Sequence, residues 1–330
     1  MSATPTDTIS PIGPPAPLVR FFGWTMLSVL AAFLINNILI VWMGFPPLSA
    51  LFTGGDGRVW VVAGLYVLAV IGAGAWVARN GNASLRYEAR KIGAFNAYLI
   101  RACFFAVLFV GIADGIVSFM RVESLLGRFL SDETVLNMIR AQYIATWVHL
   151  PSIILGFVLA LFTRTLGFHW LALLIVIAEL LIVFSRFIFS YEQALMGDLV
   201  RYWYAALFLF ASAYTLLEEG HVRVDVFYAG FSPRGKGKVN TVGTILLGIT
   251  TCWCIIVIGM GSAQSIINSP VKNFEVSQTG TSGAYTKYQM AAFLGIFAVT
   301  MLIQFVSYYF EAVADARGER GHKDHDAVVT

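Results

Sequence analysis

Glu179 and Asp114 are the carboxylates that fall inside long apolar runs of this chain. A carboxylate in hydrocarbon is a candidate for an ion or proton pathway, because keeping it charged there costs about 2.5–3.5 kcal/mol on insertion scales. The alternative is a protonated or hydrogen-bonded acid that holds helices together. Neither residue has a second intramembrane carboxylate at helical spacing, which favours the second reading over the first. The pair Asn36-Asn37 reads as interhelical glue, while Arg101 and Arg186 lie near span ends, where they can snorkel to the interface.

Histidine and cysteine chemistry points away from redox work. A membrane haem needs two axial ligands at matching depth. His149 and His169 open consecutive spans from opposite sides, about 30 Å apart in depth. His221, His322 and His325 fall outside the spans. Cys103, Cys252 and Cys254 lie within spans and read as small apolar residues. Cys252 and Cys254 point about 200° apart on a helix, so they cannot share a metal. No cofactor, metal or catalytic residue is expected.

The densest charge lies in residues 218–228, EEGHVRVDVFY, between two long apolar segments. Ionisable groups so close to hydrocarbon belong in a headgroup layer or a protein interface. His221, Arg223 and Asp225 alternate with Val222, Val224 and Val226. That period sets valines toward lipid or a helix and polar groups toward headgroups or a partner. Arg223, Arg234, Lys236 and Lys238 can bind anionic lipid at about 1 kcal/mol each. For the lysines a plain basic inner loop is the favoured reading.

The elements that position these groups follow from composition. The chain of 330 residues is 58% hydrophobic and 12% charged, against about 25% charged in soluble domains. Apolar runs long enough to span recur along it. The expectation is an all-α polytopic membrane protein with spans near 21–43, 59–77, 97–120, 147–166, 170–189, 202–217, 239–260 and 290–310. Residues 1–20 form a Pro-, Ser- and Thr-rich tail with Arg20 directly before the first span, a poor signal peptide. Lys and Arg collect on the side of the N-terminus, which places both termini in the cytoplasm. Pro151 stands at a span entrance, and the broken helices of autonomous transporters do not show.

The second half carries a resemblance. Arg186-Phe187 closes the fifth span, and Asp198 with Arg201-Tyr202 precedes the sixth. Glu219-Gly220-His221-Val222-Arg223-Val224-Asp225 and the basic stretch from Pro233 to Lys238 follow it. Phe274-Glu275-Val276-Ser277, Lys287 and Gln304 come later. This order resembles the small membrane subunit (Q-type) of tripartite ATP-independent periplasmic (TRAP) transporters over residues 169–312. Phe187 replaces the family's Tyr, and Asp198 stands where Glu is commoner.

The resemblance implies a division of labour. A periplasmic protein captures an organic acid, usually a carboxylate. A large membrane subunit carries the substrate and sodium sites, and the small subunit packs beside it as a non-catalytic scaffold. This chain would then consist of a tail (1–20), a four-helix extension (21–168), a four-helix small-subunit domain (169–312) and a cytoplasmic tail (313–330) in a bacterial inner membrane. Its expected partners are the large subunit, the periplasmic binding protein and membrane lipid, with no nucleic acid. Interface candidates are Arg186, Asp198, Arg201, Glu219, His221, Arg223, Asp225, Arg234, Lys236, Lys238, Glu275 and Ser277. Glu275 and Ser277 would face the binding protein or simply solvent. The rival expectation is a self-sufficient transporter or channel working through Glu179 and Asp114.

Overall fold

The computed structural model describes residues 10–54, 56–164, 167–217, 228, 230–277 and 279–321. Among them are eight helices long and apolar enough to cross a membrane. They are α1 (Pro17–Met43), α2 (Val59–Arg79), α3 (Leu85–Val122), α4 (Ala141–Phe162), α5 (Phe168–Phe189), α6 (Ala194–Leu217), α7 (Pro233–Met260) and α8 (Lys287–Ala316). Local chemistry sets several ends. Pro17 and Pro233 occupy first-turn positions, where a missing N–H is harmless. Ser232 caps α7 by accepting the Gly235 N–H at 3.3 Å, and Gly44 closes α1 with φ +67°.

Five helices overrun their expected spans by about a turn and a half or more. α3 begins at Leu85, α4 at Ala141, α6 at Ala194 and α7 at Pro233, and α8 continues to Ala316. Hydropathy misses these polar turns because it scores each residue as if alone, whereas Arg86 and Glu88 have ion partners here. Arg20 also departs from expectation. It lies in the first turn of α1, fully buried, not as a free charge ahead of the span. Pro151 is well inside α4. Its ring crowds the carbonyl of residue 147, and the turn Ala145–His149 widens to π geometry just ahead of it.

The chain divides into two compact units. One comprises residues 1–95, 219–254 and 301–330, and the other 96–218 and 255–300. In the first, α1 packs on α2, with Trp24 edge-on to Trp76 at 5.7 Å, and Phe22 meets Tyr309 at 5.3 Å. In the second, Phe104, Phe210, Phe293 and Tyr202 form an aromatic column with centroids 5.0–5.8 Å apart. Gly156 lets α4 approach α3 there, since a Cβ would overlap the backbone of Phe105 and Ala106.

Burial separates the helices by role. Half of the most apolar stretch of α3 and of α8 is buried, against 11% for α5. The first two are core helices, and α5 is peripheral.

Candidate functional site

In the second unit a chain of buried polar groups grips the segment that leads into α8. Asp114 of α3 and His149 of α4 are both fully buried, with His149 Nε2 3.1 Å from Asp114 Oδ1. His149 Nδ1 lies 2.8 Å from the Tyr288 hydroxyl. A neutral imidazole satisfies both contacts, its Nε2–H donating to the carboxylate and Nδ1 accepting from the phenol. His149 closes the π turn Ala145–His149. Gln289 Nε2 donates to the Tyr288 oxygen at 3.1 Å, and the Tyr202 hydroxyl donates to Gln289 Oε1. The network thus runs through α3, α4, α6 and α8.

Backbone groups of the 279–285 segment are the other half of the site. Asp114 Oδ2 accepts the Tyr285 N–H at 2.9 Å, and Asp198 Oδ2 accepts the Ala284 N–H at 3.2 Å and the Thr279 hydroxyl at 3.3 Å. Consecutive amides are therefore held by carboxylates from two different helices. Arg121 of α3 donates from Nη2 to Gly283 O at 2.8 Å and from Nε to Thr281 O at 2.9 Å. Its guanidinium also stacks 4.0 Å over the Tyr285 ring, whose hydroxyl donates to Ile139 O at 2.8 Å. Gly283 is required by this closeness: a Cβ would run into the Asp198 carboxylate and the Ser277 and Thr279 hydroxyls.

Neighbouring loops are pinned by lesser contacts. Lys287 Nζ is 3.0 Å from Glu275, and the Glu275 carbonyl accepts the Tyr288 N–H at 3.0 Å. Ser277 and Thr279 share a hydroxyl contact of 2.6 Å. Glu123, Tyr191 and Gln193 meet in a hydrogen-bonded trio. The Glu123 carboxylate there raises the Tyr191 hydroxyl above the ordinary phenol value.

The first unit has its own ionic clasp. Arg20 makes a paired contact with Glu88, both at 2.7 Å, and reaches Asn80 O at 2.5 Å. Arg86 bonds Glu311 and Asp315 of α8 at 2.7 Å each, and the carbonyls of Glu319 and Arg320 at 3.0 and 2.9 Å. Ser307 adds a bond to Ala89 O at 2.8 Å.

The interface candidates scatter when placed in this frame. Asp198 is at the centre of the grip, with Arg201 exposed beside it at 3.5 Å. Glu275 and Ser277 border it. Arg186 ends α5 on the surface, 3.8 Å from Glu192. Lys236 covers the Tyr228 ring at 5.4 Å, while Arg234 and Lys238 are exposed. Glu219, His221, Arg223 and Asp225 lie outside the described residues. Asp114 is buried in the network, whereas Glu179 is exposed midway along α5.

Sequence reasoning missed His149, Arg121, Tyr202, Tyr285, Tyr288 and Gln289. A signal was present for the first. Asp114 and His149 lie near the ends of successive spans joined by a short connection, so they share a depth. Weighing the histidine only as a haem ligand, and the acid only against residues on its own helix, hid the pairing.

The 173–314 stretch matches the family described as tripartite ATP-independent periplasmic transporters, DctQ component. No curated protein and no solved structure matches the chain. Asp198, Tyr285 and Arg86's partners Glu311 and part of α8 fall inside the matched stretch, while Asp114, Arg121 and Arg86 come from α3 outside it. Such components reside in the bacterial inner membrane, in keeping with eight apolar helices of spanning length. Residues 173–314 thus resemble the DctQ component of tripartite ATP-independent periplasmic (TRAP) transporters, within a chain whose described residues include eight helices of membrane-spanning length.

Proposed function

We propose that this chain is the non-catalytic scaffold subunit of a sodium-driven TRAP importer for an organic acid delivered by a periplasmic binding protein. The carrying observation is the DctQ match over residues 173–314. The large membrane subunit supplies the substrate and sodium sites and moves, while this chain stays rigid beside it. Both termini are cytoplasmic, so the 261–286 segment faces the periplasm. A docking surface for a soluble protein must hold its shape, and the fixed amides of Ala284 and Tyr285 support that role for the rim bearing Glu275 and Ser277. The 21–168 extension braces the 169–312 domain: α3 supplies Arg86, Asp114 and Arg121 to groups in or just before α8. Arg223, Arg234, Lys236 and Lys238 meet anionic headgroups, and His221 with Asp225 contacts the large subunit.

The rival reading, a self-sufficient transporter, needs Glu179 and Asp114 to serve one path. Against it, Asp114 is committed to His149 and the Tyr285 amide, and Glu179 is on the outside of α5. The test is purification of the tagged chain from its native membrane in mild detergent, followed by vesicle uptake. The expected result is a stoichiometric larger polytopic partner, with sodium-dependent uptake that requires both membrane chains and the binding protein. Uptake by this chain alone would overturn the proposal.

A further inference from the structure

Glu179 sits at the middle of the 22-residue α5 and is exposed, on a helix with the least buried apolar stretch of the eight. Among the described residues none offers its carboxylate a hydrogen bond or ion pair. Val176 and Val183, one turn to either side on the same stripe, are 55% and 46% exposed. Arg186 is two turns along, about 10.5 Å by helical rise, and it leans on Glu192 at 3.8 Å. Acidic groups in spanning helices face a bundle interior or a polar partner, because hydrocarbon offers them nothing. A mid-depth carboxylate on an outward stripe therefore calls for a protein neighbour with a donor at the same depth.

We propose that the Val176–Glu179–Val183 stripe of α5 is the contact line to the large membrane subunit, with Glu179 accepting a hydrogen bond from a donor side chain on a facing transmembrane helix. This inference rests on the scaffold reading above. From residue 173 on, α5 lies inside the stretch shared with components of a three-part transporter, so its Val176–Glu179–Val183 stripe belongs to the common part of the chain. A second copy fits poorly. Pairing α5 with α5 about an axis along the membrane normal would set Glu179 against Glu179, acceptor against acceptor.

The test is photo-crosslinking in native membranes, with a photoreactive side chain placed in turn at Val176, Val183 and, on α2, Val67 and Leu68. The α2 pair is similarly exposed, at 57% and 65%, and lies outside the matched stretch. The α5 positions should label the large subunit and the α2 positions should not. In parallel, Glu179→Leu should cut the large subunit recovered with the tagged chain by about threefold to tenfold, while Glu179→Gln, which still accepts a hydrogen bond, retains it. Should the Leu variant fail to accumulate, the crosslinks decide. Labelling of a second copy, labelling from α2 alone, or full recovery with Glu179→Leu overturns the inference and leaves the scaffold reading intact. Recovery of the wild-type chain without any large subunit overturns both.

Discussion

Asp114 on α3 accepts the backbone N–H of Tyr285 at 2.9 Å, 171 residues away in the chain. One carboxylate oxygen thus fixes the segment before α8, while the other holds His149 at 3.1 Å. α3 thus reaches the matched 173–314 stretch through a backbone group, a contact that depends on where the segment runs and not on the side chain of residue 285.

Asp114→Leu should leave the His149 imidazole and the Tyr285 amide without their acceptor. Each buried group so orphaned costs about 1–3 kcal/mol. The expected outcome is a lower melting temperature in detergent and faster proteolysis of the 261–286 segment. Cleavage at the wild-type rate would show that Asp114 does not hold it.

Arg86→Met should be far more damaging than Arg201→Ala. Arg86 is buried against the half-buried Glu311 and Asp315, and removing it takes a charge-assisted contact from each, at about 1.5–3 kcal/mol apiece. Arg201 is an exposed charge 3.5 Å from Asp198, worth about 0–1 kcal/mol. Paired unfolding measurements on the purified variants check the contrast, and equal losses would refute it.

Gly156→Leu should abolish accumulation of folded protein, because even a Cβ there overlaps the α3 backbone. Gly64→Ala, where a Cβ meets nothing within 4 Å, should be tolerated. Fluorescence size-exclusion profiles of the two variants report the difference; a monodisperse Gly156→Leu peak would contradict the packing described.

A Glu275→Ala, Ser277→Ala double variant should assemble normally yet need several-fold more binding protein for half-maximal uptake, as expected for rim contacts of about 1 kcal/mol in total. Titration of the binding protein against uptake in vesicles provides the readout. An unchanged half-maximal concentration removes these residues from the docking surface.

A His221→Ala, Asp225→Ala double variant should weaken recovery of the large subunit while leaving the chain itself stable. Normal co-purification would assign that run to lipid headgroups alone.

Sequence alone determined the spanning helices and the DctQ-like stretch. Twenty apolar residues in a row have one stable fate in a bilayer whatever surrounds them, and the Gly220–Asp225 element is contiguous. Which way each helix faces was decided only in the tertiary structure. A helix apolar all round shows no stripe to mark its inner side, so nothing local says that Asp114 turns in toward His149 while Glu179 turns out. The same holds for Arg20 and Arg86. Read singly they are cytoplasmic charges; with Glu88, Glu311 and Asp315 within 2.7 Å they become buried fasteners. Burial of a charge is a property of its partners, and those partners are brought together only by the fold.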